Sequence, residues 1–376
     1  MQITRSIFCG TFSFVNGETR NSEVRRGLQS VLVNFLLSRL LIFVCVFVVA
    51  PHIPLPRPEK PNFRPSFSWS EMNQWDGKWY EKIATTGYEY QPDGRPHNIT
   101  FFPLYPALVW LVMRTGLGFA AAGTIVSNAA FIAALYLLYR RTAEYHGHSA
   151  AQWAVAAMAW FPLSLFCFVT YSEAVFLLVT LGFLQVYEKE RYWLAAFLAA
   201  LAAICRVPGI TIVPPILIFA YVRRLPWRAY IPAVAACLAL TGFLIFQDLR
   251  FHDPLAFART QELWEQMRSS DVLRHIYRPN NFFRVLAWPV VAALLWSARR
   301  QLFLLDLLYA GFYLALILYS RRFTSIVRFM YGIVPVFIAA GIWLSKRPRF
   351  ATAAVMVSAV ALSLESVAWA WDHFVG

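Results

Sequence analysis

Residues 29–50 read QSVLVNFLLSRLLIFVCVFVVA, and this run decides the fold class. A helix of that length, with a single arginine, spans a hydrocarbon core about 30 Å thick. Apolar runs recur through the chain, and composition agrees: of 376 residues, 59% are hydrophobic and 14% charged. A soluble domain carries about 25% charged residues. So little charge cannot cover a water-facing surface, which excludes a soluble enzyme, a disordered chain and a coiled coil. The expected fold is all-α, a polytopic membrane helical bundle.

Outward from that run, residues 1–28 are polar and basic and read as a cytoplasmic N-terminal segment. Residues 29–376 read as one transmembrane domain. No short apolar core with a small-residue cleavage site precedes the run, so the first segment is expected to stay as a helix. Polar stretches at 51–98 and 248–283 interrupt the apolar sequence. Expected spans are 29–50, 119–139, 150–169, 173–187, 191–207, 209–223, 228–247, 284–298, 302–320, 328–345 and 350–370, about eleven crossings. The piece 101–114 is short and holds Pro103 and Pro106.

Charge settles how that piece is read. Arg140-Arg141, Lys189 with Arg191, Arg223-Arg224, Arg299-Arg300, and Lys346-Arg347 with Arg349 lie in tight turns. The positive-inside rule puts these turns and the N-terminus in the cytoplasm. An odd number of crossings must then separate the loop 51–98 from Arg140. Segment 101–114 therefore reads as a helix along the membrane surface; the alternative is that it spans and the later topology inverts. The first outer loop becomes 51–118 and the second 248–283. Arg321-Arg322 runs against the rule. The net charge of +14 would suggest nucleic acid in a soluble protein. Here it sits in doublets between spans, so no nucleic-acid partner is expected. The five cysteines form no CxxC or Cys/His cluster, which gives no zinc or redox site. No internal repeat is visible, which weighs against a transporter built from inverted halves.

Chemistry-bearing residues concentrate in the outer loops and at span ends. Ser70 to Tyr80 reads SEMNQWDGKWY and is followed by Ile83-Ala84, Gly87-Tyr88 and Phe101 to Pro106, FFPLYP. A carboxylate among aromatics at a membrane surface suits polar chemistry on an amphiphile, because partial desolvation strengthens a base. Aromatic faces also stack on sugar rings. The same composition equally describes an interfacial aromatic belt. Glu173, in Tyr171-Ser172-Glu173, lies inside an apolar run, where a charge is costly and a functional candidate. Arg206, before Val207-Pro208-Gly209, needs an anion. A lipid phosphate suits its forked guanidinium, and snorkelling to ordinary headgroups is the competing reading. Arg328 opens the tenth span on the same face and is a second phosphate candidate. The second loop offers His252-Asp253-Pro254, Gln261 and Trp264 with Arg250, Arg259, Arg268, Arg274, Arg278 and Arg284. That density suits an anionic lipid substrate or a headgroup surface. Arg39 and Asp306 read as internal pairs or snorkelling ends. Asn98-Ile99-Thr100 is an outward sequon. No close acidic pair at Asp76 supports a metal, so no cofactor is expected, with a divalent metal as the open alternative.

These motifs together resemble the PIG-V family of polytopic glycosyltransferases of the GT-C class. Its members resemble the mannosyltransferase that adds the second mannose of GPI anchors. The family's Trp-Asp-x-x-His-aromatic pattern is similar to Trp75-Asp76 through Tyr80, and its Phe-Phe-Pro-x-x-Pro to Phe101–Pro106. Its Tyr-Ser-Glu matches Tyr171 to Glu173, and its Arg-Ser-Asn-Gly resembles Arg206 to Gly209. Asp253-Pro254 to Trp264 and Arg328-Phe329 resemble later, weaker elements. Trp79 stands where the family has histidine, and Val207-Pro208 replaces a polar pair, so GPI assembly is not assigned. The resemblance implies a GT-C-like bundle with an inverting hexose transfer, mannose first, from a polyprenyl-phosphate donor to a lipid or glycan acceptor. Asp76 would be the base. Trp75, Trp79, Tyr80, Tyr105, Glu173, Arg206, His252, Asp253, Gln261 and Arg328 would bind substrate. The expected location is a bacterial plasma membrane rather than the endoplasmic reticulum, with the site outside. A polytopic lipid flippase or transporter is the alternative; it leaves Asp76 amid aromatics unexplained.

Overall fold

The computed structural model describes residues 17–53, 55, 63–269, 279–320, 325–373 and 375, without the side chains of 17–24 and 264–286. Trp264, Arg268, Arg274, Arg278, Arg284 and Arg321-Arg322 therefore lie outside the described side chains. Among the described residues the secondary structure is helical, with no strand. The helices are α1 Gly17–Val44, α2 Asp76–Thr86, α3 Leu104–Met113, α4 Phe119–His146, α5 His148–Trp160, α6 Glu173–Glu188, α7 Tyr192–Ala203 and α8 Val213–Val222. They continue as α9 Ile231–Phe251, α10 Ala256–Ser269, α11 Pro279–Ala298, α12 Leu304–Tyr319, α13 Ile326–Tyr331, α14 Val334–Ser345 and α15 Pro348–Ala370.

Four stretches are long and apolar enough to cross a membrane by length and composition: Arg25–His52, Phe119–His146, Trp227–Phe251 and Pro348–Ala370. Their outward faces carry large apolar side chains such as Leu36, Leu40, Leu249 and Leu364, each more than half exposed. Such a surface belongs in lipid, and the chain is built as an integral membrane protein. Each of the other expected spans holds a shorter helix, so a count of eleven crossings does not follow from helix length. Helix α3 has ten residues, about 15 Å, and does not span alone.

Several boundaries differ from expectation for local reasons. Helix α1 runs Gly17–Val44, so residues 17–28 are helical and continuous with the first span. Segment 150–169 is not one helix. Proline disfavours helical backbone at the residue before it, and α5 stops at Trp160, with 3-10 turns from Pro162 to Cys167. Segment 191–207 stops at Ala203, short of Pro208. Segment 328–345 splits at Gly332-Ile333, before Pro335, into α13 and α14. The second outer loop is largely helical, occupied by α10 and the start of α11.

Helix α4 packs against α5 and α6, α5 against α14, and α7 against α6 and α9. At one end of this bundle, Arg141 of α4 is 1% exposed and meets Glu188 of α6 at 2.5 Å and Asp306 of α12 at 2.8 Å. Asp306 is thus an internal pair, not a snorkelling end. The opposite end, one length of α6 away (about 24 Å), carries the first loop. The indole of Trp369 donates to Glu71 O at 2.9 Å and that of Trp371 to Ala50 O at 3.0 Å, tying α15 to this loop.

Candidate active site

Four charges from distant parts of the sequence converge at the loop end. Asp76 is the first residue of α2, where the positive end of the helix dipole favours a carboxylate. Trp75 before it adopts φ 51°, ψ −116°, outside the regions an L-residue favours. Gly77 after it lies so close to the 170 segment that a Cβ would sit 2.4 Å from Thr170 Oγ1 and 2.6 Å from Asn73 Oδ1. Thr170 N–H and Oγ1 both donate to Met72 O at 3.1 Å, and Oγ1 lies 3.0 Å from Asn73 Oδ1. The loop is thereby pinned to the entrance of α6. Asp76 N–H donates to the Tyr171 hydroxyl at 3.1 Å, which donates onward to Gln74 O at 3.3 Å.

Glu173 opens α6 and Arg206 follows the end of α7, where Gly209 lets the turn fold back on itself. A Cβ there would lie 1.8 Å from Ala202 O. Arg328 lies in the short helix α13. Its Nη1 donates to Asp76 Oδ2 at 2.7 Å and its Nε to Glu173 Oε1 at 2.5 Å. Arg206 Nη1 reaches the same Glu173 oxygen at 2.5 Å. The Arg328 guanidinium carbon stands 4.6 Å from the ring centroids of both Phe166 and Tyr171, and that of Arg206 5.6 Å from Phe329. Aromatic faces are favourable neighbours for desolvated cations. The side chains of Arg328 and Glu173 are 7% and 4% exposed, that of Asp76 26%. Asp76 is thus the carboxylate that faces outward. Sequence alone suggested a base strengthened by partial desolvation. The fold adds a guanidinium in contact. It also brings up a second acid, Glu173, on the other side of Arg328.

Around this cluster the aromatics divide into two roles. Trp79 stacks on Phe101 at 6.2 Å with 15° between the planes, forming a partly exposed ledge. Tyr80 is buried; its hydroxyl is 2.8 Å from Ser172 Oγ, and burial raises its pKa well above the ordinary phenol value. Tyr105 is 0% exposed and donates to Gly123 O at 3.2 Å. Tyr105 packs edge-on against Tyr80, with ring centroids 5.0 Å apart.

His252, Asp253 and Gln261 are not part of the four-charge cluster. His252 ends α9 in a left-handed conformation. Asp253 is buried, accepts from the Tyr90 hydroxyl at 2.9 Å and pairs with Arg259 at 3.1 Å. Gln261 lies on α10, which packs on residues 98–100. This group fastens the second loop to the first through Phe102, Phe243 and Phe257. Asn98 of the sequon is 1% exposed, donates to Gly87 O and accepts from Glu89 N–H. Among the described residues, no three His, Cys, Asp or Glu side chains are grouped to hold an ion. Phe166 was not predicted, since nothing in sequence marks one phenylalanine among 32 as a platform.

The segment that contributes Asp76, Glu173 and Arg206 carries the sequence relationship. Residues 62–225 match the mannosyltransferase (PIG-V) family model. The resemblance drawn from the motifs is borne out by this match. PIG-V is a family of enzymes, glycosyltransferases, which is the class the sequence indicated. Comparison with curated protein sequences gives no match. Among solved structures, the fold is similar to ArnT from Cupriavidus metallidurans bound to undecaprenyl phosphate. Identity is 15%, coverage 86% of this chain and 62% of that one, and TM-score 0.54. The apo state of the same protein gives 16%, 87%, 62% and 0.54. An Archaeoglobus fulgidus oligosaccharyltransferase in complex with an inhibitory peptide and a dolichol-phosphate follows at 14% identity, 92% and 56% coverage and TM-score 0.48. The chain spans about three fifths of the ArnT length. At these identities the ArnT likeness is one of fold, and it bears out the GT-C-like helical bundle. Arg328 lies beyond the PIG-V match.

Proposed function

We propose that the protein is an inverting membrane glycosyltransferase that moves a hexose, mannose by family, from a polyprenyl-phosphate donor to a lipid or glycan acceptor. Supporting this reading above all is the pairing of Asp76 with Arg328, beside Glu173 and Arg206, next to the Trp79–Phe101 ledge. Asp76 takes the proton of the acceptor hydroxyl as its oxygen bonds to the anomeric carbon. The bond from that carbon to the phosphate oxygen breaks, and its electron pair leaves with the polyprenyl phosphate. Phosphate is a weak base and leaves without a general acid, so one carboxylate suffices where glycosidases use two. Arg206 and Arg328 stabilise the departing charge as preorganised cations. Because these arginines supply the charge, no step is assigned to a metal. A base of this kind contributes about 10²–10⁴-fold. By the charge of the turns, the site faces the outer side of the membrane and the N-terminus the cytoplasm; the membrane is read as a bacterial plasma membrane from the compact chain.

The test is transfer of label from polyprenyl-phosphate mannose into a membrane-lipid extract by purified protein. Wild type is expected to form a new product, and Asp76→Asn about 10²-fold less or lower still. Equal transfer by both would remove Asp76 as the base. No transfer from mannose, glucose or arabinose donors by folded wild type would remove the enzyme reading in favour of lipid transport.

A further inference from the structure

Arg328 is shared between two carboxylates that differ in kind. Glu173 is buried on a bundle helix, and its Oε1 accepts from both Arg328 and Arg206. Asp76 is carried by the loop helix α2 and is 26% exposed. Phe166 and Tyr171 lie against the Arg328 guanidinium, each with its ring centroid 4.6 Å away. Together with Glu173, these rings hold the cation from its buried side, while its Nη1 meets the more exposed Asp76. The other Glu173 oxygen, Oε2, is buried without a hydrogen-bond partner, so the buried half of the cluster is not saturated by its own residues.

The proposed function seats a donor phosphate on Arg206 and Arg328. One guanidinium edge cannot serve a carboxylate and a phosphate in full, since both accept the same N–H groups. Resting on that function, we infer that Asp76 holds the donor phosphate's place on Arg328 in the empty enzyme, and that donor binding displaces it and so releases the base. Charge fits the exchange. Asp76, Glu173, Arg206 and Arg328 sum to zero. With Asp76 displaced, the remaining three carry one positive charge, equal and opposite to a phosphodiester. The order of events follows: the acceptor hydroxyl meets a released base only after the donor is seated.

The exchange makes an unusual demand of the base variant, which should bind lipid phosphate more tightly than wild type. Undecaprenyl phosphate would be titrated onto the full-length protein in detergent micelles, comparing wild type, Asp76→Asn, Asp76→Ala, Arg328→Gln and Asp93→Asn. Asp93 is exposed on the same loop and controls for general charge. Loss of the internal competitor is expected to tighten binding about tenfold in both Asp76 variants, a usual size for coupling at one group. Asp93→Asn should leave affinity unchanged, and Arg328→Gln should lose most of it. Equal or weaker binding by folded Asp76→Asn and Asp76→Ala overturns the inference. The transfer assay keeps the two ideas apart. An Asp76→Asn enzyme that still transfers sinks the function; one that is inactive and binds no more tightly sinks only the exchange.

Discussion

At the scale of residues, Asp76 is framed by two neighbours with opposite demands. Trp75 holds a positive φ that costs about 1–3 kcal/mol outside glycine, and Gly77 has no room for a side chain. Such strain persists where surrounding contacts over-determine it, and here Tyr171, Thr170 and Asn73 do so. Gly77→Ala is expected to lower stability by about 1–3 kcal/mol, read by thermal unfolding in detergent. An unchanged transition would mean that the Thr170 contact yields freely. Tyr171→Phe keeps the ring beneath Arg328 and removes the hydroxyl that accepts from Asp76 N–H. A loss of about two- to tenfold in kcat is expected, with donor KM unmoved; a rise in KM alone would show that Tyr171 serves binding. Individually, Glu173, Arg206 and Arg328 were legible as charges in or beside apolar runs, and Asp76 as a carboxylate among aromatics in the polar first loop. Their pairing was not. Asp76 and Arg328 are 252 positions apart, and no local pattern encodes a contact of that range.

Among elements, the common feature is interruption. Glu173 follows the break after α5, Arg206 the end of α7, and Arg328 precedes the break before α14. Interrupted helices leave backbone groups unpaired, and within a membrane these survive only where protein satisfies them. Arg39 of α1 does this for one break. Its guanidinium donates to Ser164 O at 3.0 Å, to Ser164 Oγ at 2.9 Å and to Ala159 O at 3.4 Å. Arg39→Met is expected to cost about 1.5–3 kcal/mol of stability; a melting temperature equal to wild type would show those carbonyls find other donors. The prolines at these breaks were visible in sequence. Reading 150–169 and 328–345 as continuous spans followed hydropathy, which averages over a break and cannot register it.

At the scale of the whole molecule, two ionic clusters stand at opposite ends of the bundle. One is the site, the other the buried set of Arg141, Glu188 and Asp306 that joins α4, α6 and α12. Removing one member of such a set strands the others, a cost of about 3–5 kcal/mol. Arg141→Gln should therefore melt earlier, while transfer per folded molecule stays within about twofold of wild type. A selective loss of transfer would mean that the two ends communicate. Topology has its own check. Asp93→Cys is expected to react with an impermeant maleimide in intact cells, and Arg224→Cys only after permeabilisation. The reverse pattern would invert the orientation assigned from charge.

The clasp between α15 and the first loop has a consequence in time. Asp76 leaves the ribosome early, but Arg328 is made 252 residues later and Trp369 is 298 residues from its partner Glu71. At ~5–20 residues per second, the loop waits roughly 10–60 s before the groups that shape it exist. During biosynthesis the loop is a half-site, open to proteases and to any chaperone on its side of the membrane. Its contacts with Arg328 and Trp369 form only after α13 and α15 have been made.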